Sequence, residues 1–141
     1  MPYPVLQIDW LKYPELADNV WNAQMTGRER ILTYVGPNLG KANRNDAMHF
    51  ELEGIRQEIM HLLSRDEYPF ACTLEGGASS WIGHIPARQN SAQGGLIAGF
   101  LRAHGIVSYS PGGKDMEPSR FEVKVINHPR GPVIPGPAKN G

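Results

Sequence analysis

The sequence predicts an α+β fold, in which helices pack on a small antiparallel sheet and a strand-turn-strand-helix unit forms the centre of the chain. Short β-prone runs lie between Gly and Pro turn signals, and several segments place apolar residues at helical spacing. The chain has 141 residues, of which 40% are hydrophobic and 20% charged. This length and composition favour one domain with a hydrophobic core and exclude disorder of the whole chain.

The first half of the chain predicts a strand, a helix and a second strand. Residues 5–8 form a short β-prone run. Residues 14–26 predict a helix, because Pro14 suits the first helical turn and Gly27 is a stop signal. Residues 31–35 are rich in β-prone side chains and end before a Gly-Pro pair, which predicts a second strand.

The middle of the chain predicts a helix and a hairpin. Residues 51–63 have the clearest helical spacing of apolar side chains. Residues 70–74 and 81–86 predict two strands, and Gly76-Gly77 between them predicts a turn that needs positive φ or a close backbone approach.

A helix and a last strand complete the predicted elements. Residues 91–104 predict a helix, with Asn90 as its N-cap and Gln93 at the capping-box position. Phe121, Val123 and Val125 alternate with polar residues, as in a half-buried strand.

The bulk composition suggests one domain at residues 1–128 and a tail at residues 129–141. The tail holds four prolines and three glycines, which favours an extended linker or chain end. Lys plus Arg and Asp plus Glu are both 14, and a neutral chain is an unusual nucleic-acid binder unless acids at a metal site offset a basic groove. The single Cys72 excludes an intramolecular disulfide, so folding needs no oxidising compartment.

Three carboxylates lie within ten positions: Asp66, Glu67 and Glu75. Pro69 and Gly76-Gly77 accompany them, and a polar cluster that begins at Asn90 follows. Oxygen ligands of this kind suit a hard divalent ion such as Mg²⁺ or Mn²⁺. The pattern therefore indicates metal-assisted cleavage of a phosphodiester bond.

The chain resembles the NucA/NucB deoxyribonuclease family of bacteria. The resemblance lies in Arg65-Asp66-Glu67-Tyr68-Pro69-Phe70-Ala71, in Glu75-Gly76-Gly77 and in Asn90-Ser91-Ala92-Gln93-Gly94-Gly95, and it covers roughly residues 5–126. It implies a metal-dependent, largely sequence-nonspecific endonuclease with DNA as its substrate. The order of elements is also similar to that of the ββα-metal nucleases, which often use a His as general base, whereas this chain has Glu67 at that place.

The resemblance implies a role for each polar residue of the motif, and a plainer interpretation accompanies each role. Glu67 or Asp66 is the candidate general base, and Asp66 is also a candidate metal ligand. The catalytic candidates are Asp66, Glu67, Glu75 and Arg88, and the candidate metal ligands are Asp66, Asn90 and Gln93.

The plainer interpretations differ from residue to residue. Glu75 is otherwise a turn residue, Asn90 the helix N-cap, and Arg88, with Arg65 as a second phosphate-binding candidate, an ordinary surface cation. Because adjacent residues on a regular strand point to opposite faces, Asp66 and Glu67 are expected to share a site only at a turn or a bulge.

The histidines and the cysteine show no metal-binding pattern. The five histidines have no ligand spacing with each other or with Cys72. His84 is therefore expected to be structural or at the surface, and Cys72 is expected in the core, as are the three tryptophans.

The chain shows neither an N-terminal export signal nor an apolar run of membrane-spanning length. We therefore expect a cytoplasmic protein, or a toxin domain of an interbacterial effector that is delivered into a target cell, where a cognate immunity protein would be its partner. The alternatives are a non-catalytic nucleic-acid or partner-binding domain on a nuclease fold, and a phosphodiesterase that acts on RNA.

Overall fold

The computed structural model describes residues 2–36, 63–110, 113 and 115–134. This part of the chain contains helices, a short 3₁₀ turn and strands in two sheets, so the predicted α+β class is confirmed. In chain order the elements are β1 (Val5–Asp9), α1 (Pro14–Met25), β2 (Ile31–Thr33), β3 (Leu63–Tyr68), β4 (Trp81–Pro86), α2 (Ala87–Ala103), the 3₁₀ turn (Glu117–Ser119) and β5 (Arg120–Ile126).

The first sheet has three strands in the order β1-β5-β2. β1 runs parallel to β5 and β2 runs antiparallel to it, so this sheet is mixed and not purely antiparallel as expected. The alternation predicted for the last strand is present, because Phe121, Val123 and Val125 are all buried. They pack with Leu6 and Ile8 of β1 and with the apolar face of α1 in one core.

The second sheet is the antiparallel hairpin of β3 and β4. β4 occupies the predicted residues, but the first strand of the hairpin is Leu63–Tyr68, whereas residues 70–74 were predicted. The segment at 70–74 forms turns instead, with one bridge between Thr73 and Tyr34. Phe70 and Ala71 of this apolar run are buried within the turns that follow Pro69, whereas Leu74 is exposed.

The Gly76-Gly77 turn has the two properties that the sequence predicted. Gly77 has a φ of 110°, a value that side chains rarely allow. Gly76 packs so closely on Phe70 that a Cβ would overlap its carbonyl oxygen. The turn therefore fixes the return of the chain into β4.

α1 begins with Pro14 at its first turn and packs on β3, β4 and α2. The segment after β5 also packs on α1, because the His128 ring stacks on Trp21 at 4.4 Å and Trp21 Nε1 donates to the Gly131 carbonyl at 3.0 Å. These contacts continue past the predicted domain boundary at residue 128. The helix predicted at residues 51–63 lies outside the described residues except for Leu63, which belongs to β3. Across the described ranges, helices of a length and apolarity that would cross a membrane are absent.

Candidate active site

β3 places a carboxylate inside the protein. Along this strand Asp66 and Tyr68 are buried, whereas Arg65 and Glu67 are only half-buried. The strand is a regular ladder in which Asp66 faces Gly83 and Glu67 faces Ile82. Asp66 has 2% of its surface exposed, so its charge must be compensated by neighbouring groups.

Two side-chain amides supply that compensation. Gln93 Nε2 of α2 donates to Asp66 Oδ1 at 2.6 Å, and Asn19 Nδ2 of α1 donates to Asp66 Oδ2 at 2.7 Å. Burial raises the pKa of Asp66 to about 6, and the two hydrogen bonds oppose the rise while the neighbouring Glu67 charge adds to it. Asp66 is therefore a carboxylate of fixed orientation at the junction of β3, α1 and α2.

Asn90 lies inside α2 and is not its N-cap, which corrects the sequence prediction. The helix begins at Ala87, with Pro86 in the capping position and no side-chain cap. Asn90 Nδ2 donates to Ser64 Oγ at 2.6 Å and to the Arg65 carbonyl at 3.2 Å, so the side chain points at β3. The capping interpretation fails because the helix starts earlier than the Asn-Ser pair suggested.

Gln93 connects Asp66 to Asn90. Its Nε2 also donates to Asn90 Oδ1 at 3.2 Å. Its Oε1 is buried and accepts no hydrogen bond from any described residue. A buried acceptor without a donor is costly, and a bound cation or water at this oxygen would remove the cost.

A cleft runs along β3 and α2 beside this network. Asp66, Glu67, Asn90 and Gln93 all line it at one end, together with Ser64 and Arg65. β3 is regular here, without the turn or bulge that we expected, so the Asp66 and Glu67 side chains leave the strand on opposite faces although both residues are part of the cleft lining. The rest of the lining is mainly apolar and includes Tyr34, Phe70, Ile97, Leu101 and Ile106, together with the charged Arg102.

Glu75 and Arg88 are not among the residues that line this cleft. Glu75 Oε1 accepts from the Thr33 backbone N–H at 2.7 Å and its Oε2 accepts from Thr33 Oγ1 at 3.0 Å, so this carboxylate joins the turn to β2. Arg88 is exposed on the first turn of α2. Of the two predicted phosphate-binding arginines, only Arg65 borders the cleft.

We expect Glu75→Ala to reduce stability far more than catalysis. The substitution leaves the Thr33 N–H and hydroxyl without their carboxylate acceptor, and a lost hydrogen bond to a charged group costs about 1.5–3 kcal/mol. Thermal melting measures the first effect, and the cleavage rate per folded molecule measures the second. A stable variant with a rate reduced 100-fold would instead return Glu75 to the catalytic candidates.

Cys72 and His84 differ in how well they follow expectation. Cys72 is half-buried, so it packs against the core while also lining the cleft. His84 is half-buried on β4 opposite Arg65. In the described part of the chain, no three His, Cys, Asp or Glu side chains converge as a metal site.

A hard ion with few protein ligands fits the oxygen atoms at this end of the cleft. Mg²⁺ keeps several waters and is held by one or two carboxylates. The Asp66 carboxylate, Asn90 Oδ1 and the buried Gln93 Oε1, which lacks a donor among the described residues, form such a set of oxygens. The residues present therefore fit a cation of the predicted type.

Sequence reasoning missed the residues that hold the network together. Asn19 binds Asp66 from α1, Ser64 accepts from Asn90, and Gln89 Oε1 accepts from the Leu16 N–H at 3.0 Å at the start of α1. One signal was available, because Asn19 is a polar residue on the face of α1 that Leu16 and Val20 make apolar.

The comparisons with known proteins bear on the family of the chain. The sequence model of the family described as Deoxyribonuclease NucA/NucB matches residues 25–110, which include β2, β3, β4 and α2 and therefore Asp66, Glu67, Asn90 and Gln93. No curated protein matches the chain. The family match covers more than half of the 141 residues, and the chain belongs to the NucA/NucB deoxyribonuclease family, a family of nucleases whose substrate is DNA.

Proposed function

We propose that the chain is a metal-dependent, largely sequence-nonspecific DNA endonuclease whose catalytic centre lies at the Asp66 end of the cleft. The observation that carries the proposal is the buried Asp66 carboxylate, which Gln93 and Asn19 hold at a cleft also bordered by Glu67 and Asn90. A buried carboxylate with a raised pKa at such a cleft is typical of functional sites.

Glu67 and Asp66 have different surroundings, which supports different roles. Both Asp66 oxygens already accept hydrogen bonds and the side chain is buried, so Asp66 suits the fixed organising role. Glu67 is half-buried and is part of the cleft lining, and a carboxylate there can accept a proton from a water molecule. We assign the general base to Glu67 and the structural carboxylate of the metal site to Asp66.

The reaction is hydrolysis of a phosphodiester. Glu67 accepts a proton from the attacking water, the new P–O bond forms, the bond from phosphorus to the 3′ oxygen breaks, and that oxygen takes a proton from solvent. Asp66, Asn90 and Gln93 would hold a Mg²⁺ or Mn²⁺ ion, which supplies charge stabilisation at the phosphate. Arg65 borders the same end of the cleft and is the candidate partner of a phosphate oxygen.

Cleavage should depend on the ion. We expect EDTA to abolish the conversion of supercoiled plasmid to nicked and linear forms, and Mg²⁺ or Mn²⁺ to restore it, because the available ligands are oxygens. The same ions should raise the melting temperature of the wild type but not of Asn90→Ala. Full activity of metal-stripped protein in excess chelator would contradict the proposal.

Matched RNA and DNA substrates separate the proposed function from the RNA phosphodiesterase alternative. We expect cleavage of DNA at rates well above those for RNA of the same sequence. A protein that binds DNA tightly but cleaves neither substrate would support the non-catalytic alternative.

The proposal extends to a biological setting as the toxin domain of an interbacterial effector with a cognate immunity protein. Its support is the family resemblance and the Pro/Gly-rich residues 129–141. Expression in the cytoplasm of a sensitive bacterium should then stop growth, and Asp66→Asn should relieve the arrest.

A further inference from the structure

α1 contributes a buried amide to the site. Asn19 has 7% of its surface exposed and lies on the side of α1 that faces β3 and β4. A side-chain amide in such a place costs free energy unless its polar atoms are hydrogen-bonded. Asn19 lies outside residues 25–110, which the family model matches. The family match therefore does not cover Asn19.

Among the described residues, the hydrogen-bond partners of its side chain are Asp66 and Trp81, the residue that orients the amide. Asn19 Nδ2 donates to Asp66 Oδ2 at 2.7 Å and to the Asp66 carbonyl at 3.2 Å. Trp81 Nε1 donates to Asn19 Oδ1 at 3.0 Å. An indole N–H can only donate, so it selects the amide orientation in which the oxygen faces Trp81 and the NH₂ group faces Asp66.

β4 leaves the space that this amide needs. Gly83 pairs with Asp66 across the hairpin, and a Cβ at position 83 would overlap Asn19 Oδ1. The φ of Gly83 is not among the left-handed values, so the glycine serves close approach and not backbone conformation. Trp81 thus supplies the N–H donor that orients the Asn19 amide, and Gly83, which has no side chain, leaves the space that the amide occupies.

We propose that Asn19 is a positioning residue for DNA cleavage: its amide, oriented by Trp81 and admitted by Gly83, holds the Asp66 carboxylate in the geometry that catalysis needs. The inference rests on the proposed role of Asp66. Two side-chain amides donate to this carboxylate: Gln93 of α2 to Oδ1 and Asn19 of α1 to Oδ2. The carboxylate therefore cannot rotate without breaking a hydrogen bond. Residues that orient a metal-binding carboxylate typically change activity or metal affinity 10–100-fold when removed.

Asn19→Leu tests the proposal, with Gln24→Met as its matched control. Gln24 is a buried amide on the same helix, and its Nε2 donates to Tyr68 Oη and to the Val123 carbonyl, both at 2.9 Å, away from Asp66. Both variants lose the two hydrogen bonds that a buried amide of α1 donates, and Asn19→Leu also loses the one that Asn19 accepts from Trp81. Both should melt at lower temperature. At a temperature where both are folded, we expect kcat to fall about 10–100-fold in Asn19→Leu, with KM for plasmid changed less than about threefold.

The control should keep a kcat within about threefold of wild type per folded molecule, because it leaves Asp66 untouched. Equal losses of kcat in the two variants would overturn the proposal, since they would show a general effect of disturbing α1. A wild-type kcat in Asn19→Leu would overturn it directly.

Trp81→Phe provides an independent test that leaves Asn19 and Asp66 in place. The change keeps an aromatic ring but removes the donor that orients the amide, so we expect a smaller fall in kcat, about 3–10-fold. In the Asn19→Leu background the same change should have no further effect on kcat, because there is no amide left to orient. Additive effects of the two substitutions would contradict the proposed chain of contacts. If Asn19→Leu folds poorly, Trp81→Phe alone still tests the proposal, and a wild-type kcat in that variant would overturn it.

The outcome for Asp66→Asn separates this inference from the proposed function. An active Asp66→Asn variant would remove the basis of both the proposed nuclease mechanism and the positioning role of Asn19. An inactive Asp66→Asn variant together with a fully active Asn19→Leu variant would leave the nuclease proposal in place and overturn the role of Asn19 alone.

Discussion

Asp66→Asn is expected to reduce DNA cleavage at least about 100-fold while the protein stays folded. The substitution removes the charge that organises the proposed metal site and the phosphate, and losses of this kind are about 10²–10⁴-fold. The shape of the side chain is retained. The measurement is the initial rate of plasmid nicking in Mg²⁺, at equal circular dichroism.

The hydrogen bonds around Asp66 explain why the fold should survive. The new amide oxygen can still accept from Asn19 Nδ2. Gln93 can turn its amide over and offer Oε1, which accepts from no described residue, at the loss of its 3.2 Å contact with Asn90. The expected variant is therefore folded and inactive.

The pKa of Asp66 gives the direction of the stability change. Burial raises the pKa of Asp66 above its value in the unfolded chain, so the native state favours the protonated carboxyl group. The stability that this group contributes at low pH is lost as the pH rises through about 6. The amide does not ionise, so in chelator at pH 7.5 the melting temperature of Asp66→Asn should not fall below that of wild type. A clear loss of stability together with a normal rate per folded molecule would contradict both the buried charge and its role.

The sequence predicted those elements whose local signals agree with their packing. Pro14 starts α1 as expected, and the alternation of Phe121, Val123 and Val125 matches the buried face of β5. β4 has its predicted limits because a turn precedes it and Pro86 ends it. In each case a single local pattern and the tertiary environment favour the same structure.

The errors occurred where two local signals competed. Asn90 and Gln93 have the spacing of a capping box, but both side chains are used to reach β3, and α2 begins at Ala87 without a side-chain cap. The apolar run at residues 70–74 resembles a strand, yet the acids before it occupy the strand and the run forms the turns that follow. Tertiary contacts decided both positions: Asn90 and Gln93 join α2 to β3, and residues 70–74 contact Thr33 and Val35. No local pattern reports such contacts.

The sequence predicted only part of the candidate site, because local patterns do not report tertiary contacts. Asp66, Glu67, Asn90 and Gln93 are close in sequence to a recognisable motif, and the structure brings them to one cleft. Glu75 belongs to the same motif but binds Thr33. The contacts of Asn19 with Asp66 and Trp81 join residues 47 and 62 positions apart, so only its place on an apolar helix face could have indicated them.

Glu67→Gln should also reduce cleavage at least about 100-fold, because the amide cannot accept a proton from the attacking water. Unlike Asp66, Glu67 is only half-buried, so the isosteric change should alter the melting temperature little. The Mg²⁺-dependent rise in melting temperature should persist in Glu67→Gln and disappear in Asp66→Asn, since the base is proposed to act on water and Asp66 on the ion.

Glu75→Gln is the matched control for this last prediction. It makes the same chemical change on a carboxylate that lies near in sequence but contacts Thr33 instead of the cleft. We expect it to keep most of the cleavage rate per folded molecule and to lower the melting temperature. If Glu67→Gln were as active as Glu75→Gln, Glu67 could not be the base, and proton removal would fall to Asp66 or to a water bound at the metal site. The loss of the Mg²⁺-dependent stabilisation in Glu67→Gln would instead make Glu67 a metal ligand, so the two measurements together separate the roles of the adjacent acids.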